Sequence, residues 1–109
     1  MAYSRELEQK LDKLSAGLGP FIKKNLFGGV AYMLNGNMAF GVHKQSLIIR
    51  ASKDRAKELL TKDFISIFDI TGRPMIGWLM VSPDAMKTEK QISDLLKISI
   101  DYVKTLPKK

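Results

Sequence analysis

The fold of this chain is decided by the stretch VAYMLNGNMAFGV, residues 30–42. Its two apolar halves flank Asn35-Gly36, the pair that most readily takes positive φ at both central positions of a two-residue turn. The pattern therefore predicts a tight β-hairpin. A short turn over residues 43–46 follows, and the β-branched segment over residues 47–50 adds a third consecutive antiparallel strand.

Helices are predicted before and after these strands. Apolar residues recur every three or four positions over residues 4–17, and a second amphipathic pattern covers residues 52–60; each begins with a serine that can cap a helix. The last helix begins at Thr88, because Thr88 and Gln91 have the spacing of a capping box, and Pro107 is expected to end it.

Two further strands are predicted over residues 64–70 and 76–81, joined by the turn residues 71–74. The expected order is α-β-β-β-α-β-β-α. No repeat, linker or biased segment divides the chain, so residues 1–109 are expected to form a single α+β domain on one antiparallel sheet, with helices covering one face.

The last helix has a wider apolar face than one contact surface requires. Ile98, Ile100 and Tyr102 widen a stripe that already runs along the helix. Such width predicts a helix packed on two sides, and a homodimer through this helix is one way to supply the second side.

The composition limits the chemistry of the chain. There is no cysteine, which excludes disulfides, thiolate catalysis and cysteine-ligated metal sites, and His43 is the only histidine. No metal or other cofactor is expected, and no catalytic residue is assigned, because nothing at a characteristic spacing would orient His43 as a general base. A small enzyme or anion-binding protein with the loops at residues 27–29 and 71–73 around His43 is a weaker alternative.

The N-terminus lacks the pattern of a secretory signal, and no apolar stretch reaches the roughly 20 residues that span a bilayer. A cytoplasmic protein without a membrane partner is therefore expected.

The formal charge of +7 comes from 18 basic and 11 acidic side chains that are spread evenly along the chain. Such a charge favours nucleic acid only where it is concentrated on the surface. Direct nucleic-acid binding is therefore an alternative that the sequence permits without favouring it. The residues that would make the contacts are the cations Lys23, Lys24, Arg50 and Arg73, with the ring of Trp78 for base stacking.

Some of the same residues have structural interpretations. The glycine pair at residues 28–29 indicates a bulge or a close approach of two backbones more than a ligand site. Trp78 alternates with Ile76 and Met80, which favours a half-buried core residue over a stacking platform. The six methionines suit either an adaptable core or a protein-binding surface, and their number alone does not decide.

Two motifs resemble the TfoX N-terminal domain family. They are FGGVAYMLNGNM over residues 27–38 and DITGRPMIGW over residues 69–78, and the likeness covers essentially the whole chain. The candidate binding or family-motif residues are Phe27, Gly28, Gly29, Gly36, His43, Arg50, Asp69, Gly72, Arg73, Pro74 and Trp78.

This resemblance implies a bacterial or archaeal protein whose fold is similar to secretion-chaperone-like domains. It also implies a link to regulators of natural competence, which act with other transcription factors and have no known catalysis. We therefore expect a stand-alone N-terminal domain that is not an enzyme. Its expected role is that of a regulatory or interaction module with a protein partner, the transcription machinery being one such partner.

Overall fold

The predicted hairpin lies inside the sheet of the computed structural model, which describes residues 3–26, 28–68 and 77–108. Asn35 and Gly36 have φ values of 55° and 83°. Both turn residues therefore take the left-handed conformation that matches the twist of the two flanking strands, and the prediction of a tight hairpin is confirmed.

Within these ranges the chain forms three helices and six strands. The helices are α1 (Arg5–Ser15), α2 (Lys53–Leu59) and α3 (Glu89–Val103), and a 3-10 turn, Pro83–Ala85, precedes α3. The strands are β1 (Ile22–Leu26), β2 (Gly29–Leu34), β3 (Asn37–His43), β4 (Ser46–Arg50), β5 (Ile65–Ile67) and β6 (Trp78–Val81).

All the described strands belong to one antiparallel sheet with the order β1-β2-β3-β4-β6-β5. The predicted α+β class is confirmed, but the predicted order lacks one strand, β1. Its sequence IKKNL shows no alternation of apolar and polar residues, because β1 is an edge strand on which Lys23 and Lys24 are exposed. Lysine on an edge strand is common in natural sheets, since it discourages pairing with other chains.

The ends of several elements differ from the prediction by a few residues. α1 ends at Ser15, and Gly17 takes a φ of 83° that a helix does not allow. α3 ends at Val103 rather than at Pro107. Beyond that end the hydroxyl of Thr105 donates to the carbonyl of Tyr102 at 2.6 Å, and such a local side-chain bond competes with the main-chain hydrogen bonds that would continue the helix. The predicted turn at residues 71–74 lies outside the described residues.

The three predicted helix caps form. The Ser4 hydroxyl accepts from the Leu7 amide at 3.1 Å, and the Ser52 hydroxyl accepts from the Arg55 amide at 3.2 Å. At α3 the Thr88 hydroxyl accepts from the Gln91 amide, while the Gln91 side chain accepts from the Thr88 amide. Each cap satisfies amide donors that a helix leaves unpaired in its first turn. Because these bonds join neighbouring residues, the sequence alone predicts them correctly.

The core lies between α1, α3 and one face of the sheet. Val30, Tyr32 and Leu34 of β2 point into it, as every second residue of a strand must. Inside this layer the ring of Tyr32 stacks on Phe40, with the ring centroids 4.5 Å apart.

The wide apolar face of α3 is explained within one chain. α3 contacts β3 and β4 on one side and α1 on the other. Ile100 is buried, and Ile98 and Tyr102 are half-buried against the same core. The inference that α3 packs on two sides is therefore correct, and α1 supplies the second side.

Ser99 connects α3 to the end of β4 through a hydrogen bond. It is fully buried, and its hydroxyl accepts from the Arg50 amide at 2.9 Å. The last residue pair between β3 and β4 joins Phe40 to Ile49, so Arg50 has no partner across that ladder. The Ser99 hydroxyl thus accepts the hydrogen bond from the Arg50 amide that a main-chain carbonyl on a neighbouring strand would otherwise accept.

Replacing Ser99 tests the contribution of this hydrogen bond to stability. The substitution Ser99→Ala leaves the Arg50 amide without its hydrogen bond, and we expect the free energy of unfolding to fall by about 1–3 kcal/mol. Urea denaturation at constant pH measures the difference. Ser93→Ala, on the exposed side of the same helix, is the matched control and should change stability by less than about 0.5 kcal/mol. Equal effects of the two substitutions would contradict the assignment.

Candidate interaction surface

The sheet face that points away from α1 and α3 is also apolar. Met33 lies directly opposite Met38, and Ile48 lies between Gly41 on one neighbouring strand and Met80 on the other. These side chains therefore share one face. We call this surface the methionine face and define it by Ala31, Met33, Met38, Ile48, Trp78 and Met80.

The methionine face is only partly shielded from solvent. Ala31 and Ile48 at its centre are buried, but neither belongs to the core cluster beneath the helices. Met33, Met38 and Met80 around them are half-buried. An antiparallel sheet whose second face meets only water usually carries polar residues there, so this face has the composition of a contact surface.

The exposed edge of this face is formed by β1. Ile22 lies opposite Met33 and is 67% exposed, and Lys24 lies opposite Ala31 and is also exposed. The methionine face therefore ends in one large apolar side chain and one cation that faces solvent.

Arg50 and Trp78 meet at the other side of the methionine face. They lie opposite each other on β4 and β6. The guanidinium carbon of Arg50 lies 4.8 Å from the centre of the Trp78 ring and 5.8 Å from that of Tyr102. The structure thus brings together two of the residues named for nucleic-acid contacts, and it places the cation on the indole ring that a base would need for stacking.

Lys23 contacts acidic side chains of α1. Its ammonium lies 3.0 Å from Glu8 and 3.1 Å from Asp12, and Asp12 also accepts a hydrogen bond from the hydroxyl of Tyr32. Burial lowers the pKa of Lys23, but the hydrogen bonds to Glu8 and Asp12 outweigh that effect and raise the pKa above its usual value. Burial and the bond to Asp12 raise the pKa of Tyr32 as well.

The sequence alone does not show that Lys23 has these partners. Glu8 and Asp12 are four residues apart on α1 and so share one helix face, which is a detectable signal. Nothing in the sequence indicates that β1 lies beside them, because β1 itself was not predicted. A cavity of about 430 Å³ opens next to this group and is lined by Asp12, Ser15, Ala16, Gly17, Gly19, Pro20, Phe21, Lys23 and Tyr32.

The glycine pair at residues 28–29 lets the main chains of β2 and β3 lie close together. Gly28 has a φ of 74°, and a Cβ added at Gly29 would lie 1.9 Å from the carbonyl oxygen of Val42. The main chain of β3 therefore occupies the space above Gly29. This is the close backbone approach that the sequence indicated.

His43, at the end of β3, packs edge-on against Phe68, with the ring centroids 5.6 Å apart. Its Nδ1 is buried without a hydrogen-bond partner among the described residues. Gly36 lies in the hairpin turn. The remaining family-motif positions, Phe27, Asp69, Gly72, Arg73 and Pro74, lie outside the described residues.

The described part of the chain lacks two features that would mark other kinds of site. It contains no group of three or more histidine, cysteine, aspartate or glutamate side chains placed to hold a metal ion. It also contains no helix that is both long enough and apolar enough to cross a bilayer.

The contact between Arg50 and Trp78 can be tested by fluorescence, since Trp78 is the only tryptophan in the sequence. Arg50→Ala uncovers the indole ring, and we expect its emission to move to longer wavelength and the free energy of unfolding to fall by about 0.5–2 kcal/mol. Arg55→Ala is the matched control, because Arg55 is exposed on α2 and its side chain bonds only Glu58 among the described residues. An unchanged spectrum in Arg50→Ala would show that the stack does not form in solution.

The chain was also compared with known proteins. No curated protein matches it. The TfoX N-terminal domain family matches over residues 12–103, which is most of the chain. The matched span runs from the middle of α1 to the end of α3 and includes every strand described above. The chain therefore belongs to the TfoX N-terminal domain family.

Proposed function

We propose that this domain is a non-enzymatic regulatory module that binds a protein partner through the methionine face. The observation that carries the proposal is the presence of Met33, Met38 and Met80 on the sheet face opposite the helices, where each is only half-buried. A water-facing sheet would be expected to carry polar side chains at these positions.

The chemistry of methionine suits this role. Its side chain is unbranched and polarizable, so it can adapt to the surface of a partner with little strain. Ile22 and Lys24 at the open end of the face add one exposed apolar contact and one cation. The partner surface that fits is therefore apolar at its centre and acidic toward β1.

Two of the four cations named for nucleic-acid contacts are engaged within the domain. Lys23 bonds Glu8 and Asp12, and Arg50 lies on Trp78. Phosphate binding by either residue would have to displace these contacts. This geometry supports a protein partner over direct nucleic-acid binding.

The non-enzymatic part of the proposal is supported by the surroundings of His43. Its ring contacts Phe68, and its Nδ1 has no described partner that would orient the imidazole as a general base. Membership of the TfoX N-terminal domain family supports a role in transcription regulation, including that of competence, with the cytoplasm as the place of action.

Site-specific photo-crosslinking in cells tests the proposed surface. A photoreactive amino acid in place of Met38 should crosslink to a protein partner, and the same residue in place of Lys57, which is exposed on α2, should not. Adding Met80→Lys to the Met38 probe should remove the crosslink, because it places a charge inside the apolar contact. Circular dichroism of the purified Met80→Lys protein verifies that it folds.

Two results would contradict the proposal. The first is equal crosslinking at positions 38 and 57, or a crosslink at position 38 that Met80→Lys leaves unchanged. The second is tight binding of purified protein to duplex or single-stranded DNA that weakens steeply between about 50 and 200 mM salt and is reduced by Lys24→Ala. That second result would favour the nucleic-acid alternative.

A further inference from the structure

The two edges of the sheet differ in how they are protected. On β1 the edge carries Lys23 and Lys24, which discourage pairing with another strand. On β5 the residues from Phe64 to Phe68 include no charged side chain. The β5 edge therefore lacks the charge that guards the other edge.

The hydrogen-bond pattern shows which main-chain groups of β5 point outward. The Phe64 carbonyl accepts from the Ser82 amide at 2.9 Å, and the Phe68 amide donates to the Trp78 carbonyl at 2.9 Å. In an antiparallel ladder these groups alternate, so Phe64, Ser66 and Phe68 face β6. The amide and carbonyl groups of Ile65 and Ile67 then point away from the sheet, and they have no hydrogen-bond partner in the described part of the chain.

The side chains at this edge are apolar and open to solvent. Phe64 is 56% exposed and Ile67 is 38% exposed. Phe64 also has a φ of 69°, a conformation that costs free energy for a bulky residue. The domain thus keeps an aromatic ring in solvent, on a strained backbone, directly beside a strand edge that pairs with no other described strand.

We propose that β5 pairs in antiparallel orientation with β5 of a second copy of this chain, so that two sheets join into one across a two-fold axis. The axis passes through Ser66, which then faces Ser66 of the second copy. Ile65 pairs with Ile67 of the second copy, and the outward amides and carbonyls of both residues form four hydrogen bonds across the junction.

A second copy fits this edge because the pairing is self-complementary. Across the axis the register sets Ile65 opposite Ile67 and Phe64 opposite Phe68, so within residues 64–68 no charged side chains oppose each other. The same symmetry applied to β1 would bring lysines of two copies together. A dimer through β5 also buries Ile67 and Phe64, which the single chain leaves in water.

This inference is independent of the proposed function, because it concerns the β5 edge rather than the methionine face. It also differs from a dimer through α3, whose two sides are already occupied by α1 and the sheet.

Sedimentation velocity over a range of concentrations tests the pairing. The full chain should shift from a mass of 12.3 kDa toward twice that value as its concentration rises. Ile67→Lys should raise the dissociation constant by about tenfold or more, since both copies carry the charge. Ile22→Lys adds the same charge to the other edge at a more exposed isoleucine, and it should leave the dissociation constant unchanged.

A second measurement does not depend on any substitution. Hydrogen exchange of the wild-type amides should slow at Ile65 and Ile67 as the concentration rises, while the amides of β1 keep their rates. Three results would overturn the inference: a mass of 12.3 kDa at every concentration, a dimer that Ile67→Lys leaves intact, or exchange at Ile65 and Ile67 that does not respond to concentration.

Discussion

Burial of one face of a single antiparallel sheet beneath α1 and α3 is the constraint on which the rest of the structure depends. Because strand residues alternate, placing Tyr32, Phe40 and Ile49 under the helices forces Met33, Ile48 and Met80 onto the opposite face. A shift of one residue in register would exchange the two sets. The hairpin turn at Asn35-Gly36 sets the register at its own end of the β2–β3 ladder, and one register change between Tyr32 and Met33 brings Met38 opposite Met33. The methionine face is thus a direct consequence of how the core is built.

The same core also organises the charges. Tyr32 reaches from the sheet to α1, where it meets Asp12, and Asp12 in turn holds Lys23 on the edge strand. Arg50 lies at the end of β4, where its amide is bound by α3 and its guanidinium covers Trp78. The net charge of +7 therefore does not show which cations are available to bind a ligand, because two of those named as ligand contacts, Lys23 and Arg50, take part in contacts within the domain. Electrostatics here helps to join β1 to α1 and β4 to α3.

The local features of the fold were predictable from the sequence because they arise from neighbouring residues. The hairpin needs only two residues with positive φ, and each helix cap needs only a hydroxyl beside the first turn. β1 was missed for the opposite reason. It is a strand only because β2 lies beside it. Its lysines suit an exposed edge strand, where they discourage pairing with other chains, and they do not produce the apolar alternation of a strand that packs on a core.

The sequence by itself determined the hairpin, the three helices, the α+β class and the membership of a family, since all of these are encoded in local patterns and motifs. The tertiary structure alone decided which cations are engaged, which methionines reach the surface and which sheet edge is open. Those properties depend on residues far apart in the chain, such as Arg50 with Tyr102 or Glu8 with Lys23. Their contacts are created when the sheet and helices pack, and no periodicity along the chain records them.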